Sequence, residues 1–130
     1  MTVLLDTHAW LWWSADRGRL SDAAIDAIEA AETIGVAAVS CWELAMLVVR
    51  GRIELDREPR RWIRQALGQP GVLAIPLGPS AAFEAAMLPE DGFPGDPADR
   101  MIYATARERG AKLISKDRAL RSFDPRGVLW

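Results

Sequence analysis

Five carboxylates in this 130-residue chain stand where short apolar segments give way to helices or loops: Asp6, Glu43, Asp96, Asp99 and Asp117. Brought together, such groups would repel one another, and their pKa values would rise unless a cation neutralised them. A hard divalent ion resolves the conflict, because it takes carboxylate oxygens and keeps several waters. A single cysteine, Cys41, removes any cysteine-based zinc or iron–sulfur site. An acid-only cluster therefore favours Mg²⁺ or Mn²⁺. The reaction that such a centre serves best is phosphodiester hydrolysis, with an activated water as nucleophile and the metal stabilising charge on phosphate.

For these acids to meet, the chain must fold so that their elements share one edge. Residues 3–5 form a short apolar run that ends on Asp6. Residues 7–13 read as a helix, followed by a polar loop through Arg17-Gly18-Arg19. Ser21 caps a helix with Ala24, Ile25 and Ile28 as its stripe. Residues 34–39 are apolar and β-branched and predict a buried strand; Ser40 then opens a helix ending near Arg50-Gly51. Pro59 starts a helix to Leu67, and Gly68-Gln69-Pro70-Gly71 breaks it. Residues 72–75 give a strand, and Ser80 caps a helix to about Leu88. Pro89, Gly92 and Pro94 mark a loop over 89–95, after which Asp96-Pro97 starts a helix that stops at Gly110. Residues 112–115 and 127–130 read as the last two strands. The alternation predicts one α/β domain over 1–130, with a mostly parallel sheet between two helical layers. Sites in such sheets lie at the carboxyl ends of the strands. Asp6 and Asp117 fall there directly, and Glu43 reaches the edge from the first turn of its helix. Asp96 and Asp99 need the 89–95 loop to bring them in.

Each acid also has an ordinary structural explanation. Ser40-Cys41-Trp42-Glu43 fits a capping box, in which Glu43 serves only the backbone. Asp96 fits an N-cap, with Asp99 favoured by the helix dipole. Asp117 could cap a short segment at 118–120, and Asp6 the helix that follows it. Their joint placement favours the metal site over four separate caps.

The ordered set of motifs resembles a PIN domain, in particular the VapC-type toxins of toxin–antitoxin pairs. The motifs are Leu4-Leu5-Asp6-Thr7-His8, Ser40-Cys41-Trp42-Glu43-Leu44, the stretch Asp96-Pro97-Ala98-Asp99-Arg100-Met101-Ile102-Tyr103-Ala104-Thr105-Ala106, and Leu113-Ile114-Ser115-Lys116-Asp117. The resemblance implies a three-layer α/β/α fold and a Mg²⁺- or Mn²⁺-dependent endoribonuclease. It makes Asp6, Glu43, Asp99 and Asp117 the catalytic, metal-holding quartet. Asp96 is a fifth acid or a cap. It suggests that Thr7 and Ser115 orient a carboxylate or a water, and that Arg100 and Lys116 meet substrate phosphate or quiet the cluster's charge. It further implies an RNA substrate, a VapB-like antitoxin and a homodimer. A structure-specific DNA nuclease on the same fold and an inactive binding module are the alternatives.

Bulk properties narrow the field without deciding it. Net charge is −2, so composition does not announce a nucleic-acid binder. The N-terminus lacks a basic leader, and no apolar run reaches the roughly 18 residues of a membrane span, so a cytoplasmic protein is expected. Neither G-x-G-x-x-G nor G-x-x-x-x-G-K occurs, which argues against dinucleotide and nucleoside triphosphate binding. His8 could serve as a general acid or base, but a lone histidine more often packs on a helix face. Arg57, Arg60, Arg61 and Arg64 fall at helical spacing and read as a solvated basic face or a contact for RNA or antitoxin.

Overall fold

The computed structural model describes residues 1–93 and 95–130; Pro94, one of the expected loop breakers, lies outside the described residues. Five strands form one sheet: β1 (Thr2–Leu5), β2 (Thr33–Ala37), β3 (Val72–Ile75), β4 (Lys112–Ile114) and β5 (Val128–Leu129). Their order is β3-β2-β1-β4-β5, and every neighbouring pair is parallel. The described α-helices are α1 (Thr7–Ala15), α2 (Asp22–Ala30), α3 (Ala38–Val49), α4 (Pro59–Leu67), α5 (Pro79–Met87), α6 (Pro97–Glu108) and α7 (Arg118–Phe123). The expected three-layer α/β/α architecture is present. No helix among the described residues is long and apolar enough to cross a membrane.

Side-chain alternation along the strands divides the core in two. Val3, Leu5, Ile34 and Val36 face one layer, against Trp10 of α1, Ile28 of α2 and Trp62 of α4. Leu4, Ile75, Leu113 and Val128 face the other, against Ile102 and Tyr103 of α6 and Leu120 of α7. The helix α5 joins that second layer through Ala81 and Ala85, packed on Ala104 of α6. A side chain at Gly35 would crowd Ile75 Cδ1 at 2.6 Å and Leu4 Cδ1 at 2.8 Å, so β2 stays slim on that face.

The chain winds from β1 outward through β2 to β3, then crosses back to β4 on β1's other side. This reversal leaves a crevice at the carboxyl ends of β1 and β4. Leu5 and Ile114 are the last paired residues there, and the Asp6 N–H donates to the Ile114 carbonyl at 3.1 Å.

Several boundaries differ from the sequence reading. The strand β2 ends at Ala37, and Ala38 and Val39 already belong to α3, whose N-cap Ala37 offers no side-chain hydrogen bond. A run that is apolar on both sides of the boundary carries no change of period to mark the switch. Gly78, not Ser80, is the N-cap of α5, because Pro79 suits the first helical position. Arg17–Arg19 forms a 3₁₀ turn rather than an open loop. Arg57 lies ahead of α4, outside the helical row of Arg60, Arg61 and Arg64, and bonds Asp56 and Gln65.

Candidate metal centre

The five acids do gather at the carboxyl edge, and their backbone settings explain how. Asp6 follows β1 directly and is the N-cap of α1, where its Oδ1 accepts from the Ala9 N–H at 2.8 Å. Asp117 follows β4 and caps α7 through Oδ1, which accepts from the Leu120 N–H at 3.0 Å. Asp96 caps α6, its Oδ1 accepting from Ala98 N–H at 2.8 Å and Asp99 N–H at 3.2 Å. A helix that leads into a parallel strand runs against the sheet, so the start of α6 faces the edge where β1 ends.

Capping and ion binding are therefore not alternatives here. In Asp96 and Asp117 the cap uses Oδ1, and Oδ2 remains for a cation.

Glu43 has lost its structural explanation altogether. Ser40 stands in the first turn of α3 rather than at its N-cap, so no capping box exists and Glu43 belongs to the second turn. Ser40 is fully buried, and its hydroxyl accepts from Thr7 Oγ1 at 3.1 Å, tying α3 to the start of α1. The same S-x-x-E spacing that suggested a cap hid this contact.

One carboxylate oxygen each from Glu43, Asp96 and Asp99 lies within 4.8 Å of the others. Asp6 and Asp117 stand outside that tight group but within electrostatic reach of Asp99. Burial pushes the Asp99 carboxyl up to about 7, and the charges of Asp96, Glu43, Asp6 and Asp117 push the same way. Burial also raises Asp6, opposed by hydrogen bonds from the Ser115 hydroxyl and the Ala9 N–H and by the nearby His8; Glu43 raises it further. His8 is exposed, with its ring 5.6 Å from that of Trp12. The donor set is all oxygen and carries more negative charge than it can hold unaided. It fits a hard divalent cation, which Glu43, Asp96, Asp99, Asp6 and Asp117 would hold.

The expected supporting groups divide. Ser115 is fully buried and serves two acids at once: its hydroxyl donates to Asp6 and accepts from the Asp117 N–H at 3.2 Å. Thr7 is buried and serves Ser40. Arg100 is committed elsewhere than the phosphate contact anticipated for it. Its guanidinium donates to the carbonyls of Ala85 (3.0 Å), Leu88 and Pro89 (3.4 Å) and lies over the Phe93 ring, which ties the segment after α5 to α6. Lys116 is exposed near the Trp12 ring.

Ser115→Ala is expected to weaken Mn²⁺ binding by about ten- to a hundredfold, the usual cost of losing a group that orients ligands. Calorimetric titration of Mn²⁺ into the two proteins checks this. Equal affinities would mean that Asp6 and Asp117 hold their places without the bridge.

The family model for the PIN domain matches residues 3–124. Ribonuclease VapC22 from Mycobacterium tuberculosis is 50% identical over 128 residues, which cover 98% of this chain and 96% of that protein. VapBC2 from Rickettsia felis, solved bound to a promoter DNA fragment, superposes with a TM-score of 0.73 at 15% identity, covering 99% of this chain and 98% of the other. A toxin–antitoxin complex from Klebsiella pneumoniae gives a TM-score of 0.69 at 21% identity, covering 98% and 96%. With its motifs in order, its parallel sheet and this identity, the chain belongs to the PIN-domain family and is a homologue of the ribonuclease VapC22.

Proposed function

We propose that this protein is a metal-dependent endoribonuclease and the toxin of a toxin–antitoxin pair, hydrolysing RNA phosphodiester bonds with Mg²⁺ or Mn²⁺. The observation that carries the reading is the carboxylate cluster around Asp99 at the β1–β4 crevice, on a chain half identical to a named ribonuclease. Asp6, Glu43, Asp99 and Asp117 hold the ion, and Asp96 adds its second oxygen. When bound, the cation supplies neutralising charge, a more acidic water and stabilisation of the phosphate. The chain's own residues supply placement. Ser115 fixes Asp6 relative to Asp117, Thr7 and Ser40 fix the start of α1 against α3, and helix caps aim Asp96 and Asp117. The reading places the protein in the cytoplasm with a VapB-like antitoxin as its partner; the toxin–antitoxin complexes among the solved relatives support the partner. A homodimer is supported by Phe83 and Met87, exposed one turn apart on α5.

The test is incubation of purified protein with an RNA pool and a matched single-stranded DNA pool, with Mn²⁺ or Mg²⁺ and then with EDTA. Cleavage of RNA that needs the ion and stops in EDTA is the expected result. Cleavage of DNA alone would move the reading to a DNA nuclease. No cleavage and no Mn²⁺ binding by folded protein would leave an inactive binding module.

A further inference from the structure

The acid Asp117 caps the shortest α-helix among the described residues, and what holds that helix is a set of contacts outside the metal site. Six residues at about 1.5 Å each make α7 a rod of roughly 9 Å, too short to be stable alone. Leu120 is its one buried residue, so core packing grips it weakly. Its ends are gripped better. At the C-terminal end Asp124 is the cap residue, its N–H donating to the Leu120 carbonyl at 2.9 Å. The Asp124 carboxylate is held in turn: Oδ2 accepts from the Tyr103 hydroxyl at 2.8 Å and from Arg107 at 3.3 Å, and Oδ1 accepts from the Gly127 N–H at 2.9 Å. A Cβ at residue 127 would overlap that carboxylate, so a glycine is what admits the close approach.

Tyr103 stands one turn after Asp99 on α6 and is buried. Phe93, just ahead of Asp96, meets Tyr103 at 5.1 Å and Phe123 of α7 at 5.0 Å, both edge-on, and Tyr103 meets Phe123 at 5.9 Å. One side chain therefore links the helix that starts with Asp96 and Asp99 to the helix that starts with Asp117. We propose that Tyr103, acting through Asp124, is a positioning residue that sets where Asp117 stands relative to Asp99. Its consequence for ion binding rests on the proposed function; its mechanical part does not. Burial and the Asp124 carboxylate push the tyrosine up to about 12, so it remains a donor at neutral pH.

The test compares wild type with Tyr103→Phe, which keeps the ring and removes the hydroxyl. Arg107→Gln removes the exposed ion pair to the same carboxylate, and Ile28→Val is a destabilising control on the opposite face of the sheet. Without metal, amide hydrogen exchange at Leu120 is expected to accelerate about five- to tenfold in Tyr103→Phe, while Leu5 and Ile114 keep their rates. With Mn²⁺, its Kd is expected to rise about three- to tenfold and kcat to fall with KM for RNA unchanged. Ile28→Val should leave Leu120 exchange and Mn²⁺ affinity as in wild type, and Arg107→Gln, which removes only the exposed partner of Asp124, should move both less than Tyr103→Phe does. Unchanged exchange at Leu120, or equal acceleration in the sheet, overturns the proposal. So does faster exchange in α7 with Mn²⁺ affinity intact. If wild type neither binds Mn²⁺ nor cuts RNA, the nuclease reading falls, and exchange at Leu120 alone decides the positioning role.

Discussion

Asp99→Asn is expected to lower metal-dependent RNA cleavage by at least about a hundredfold while making the metal-free protein more stable at pH 8. The first part follows from the place of Asp99. Orienting groups around metal ligands typically cost ten- to a hundredfold when removed, and a carboxylate in the tight group with Glu43 and Asp96 should cost more. The second part follows from its pKa. Unfolded, the carboxyl ionises near 3.8; folded and without metal it ionises near about 7, raised by burial and four neighbouring acids. Between those values the native protein retains a proton that the unfolded chain has released. Stability therefore falls as pH rises across that window, and the loss is complete above it. Asp6, also raised, adds in the same direction, starting from its unfolded value of 3.8. An asparagine carries no charge to repel, so at pH 8 the metal-free variant should melt at least ~3 °C above wild type. At pH 4 that gap should close. Mn²⁺ should raise the melting temperature of wild type at pH 8 and move the variant far less. Thermal melts at both pH values, with and without Mn²⁺, together with RNA cleavage rates, check each part. A variant that cuts RNA normally and keeps the Mn²⁺ shift would remove Asp99 from the ligand set.

The opposite signs on activity and stability also mark what the sequence could and could not disclose. Asp6 was legible because it directly follows a run of apolar residues that has to be a buried strand, and Asp117 because it stands just past another such run, beyond Ser115 and Lys116. Asp96 was legible as a cap, and the fold shows that a cap can keep one oxygen for an ion. The approach of Asp96 and Asp99 to Glu43 was not readable from strand ends alone. It follows from the direction of α6, antiparallel to the strand it leads into. The start of α3 was misread because Ala37, Ala38 and Val39 are apolar on both sides of the boundary, and the nearest cap-like residue, Ser40, is spent on Thr7. Long side chains are least legible of all. Nothing in the spacing of Arg100 distinguishes a reach toward phosphate from the reach toward the carbonyls that it makes. The Tyr103–Asp124 contact left only a faint trace, a hydroxyl on an otherwise apolar helix face that burial obliges to find a partner.

Trp10→Ala is expected to cost about 3 kcal/mol of stability, near the low end of the usual range for removing a buried tryptophan. The ring is 1% exposed and meets Trp62 of α4 edge-on at 5.4 Å, in the core on one face of the sheet. Deleting it empties the space between α1, α4 and the sheet, beside an open recess of about 260 Å³ that Trp10 and Trp62 already line. Two features soften the loss. The Trp10 indole N–H is buried without a hydrogen-bond partner, so its removal ends a desolvation cost of about 1–3 kcal/mol. The neighbouring recess also gives adjacent side chains room to shift. Trp10→Phe separates the terms, since it removes the unpaired N–H and retains most of the ring. It is expected to cost less than about 1 kcal/mol, against a fall in melting temperature of roughly 10 °C for Trp10→Ala. Urea unfolding of both variants measures the difference directly. The site would feel the larger change, because the Trp10 backbone N–H donates to the Asp6 carbonyl at 2.9 Å, so the buried ring anchors the first turn of α1, which Asp6 caps, to the core. A fraying α1 loosens the cap that aims the Asp6 carboxylate. Mn²⁺ affinity should therefore drop in Trp10→Ala even at temperatures where the variant is fully folded, and hold in Trp10→Phe. Equal unfolding energies for the two variants would show that the indole N–H is satisfied in solution, and that the ring's volume is not what holds α1 in place.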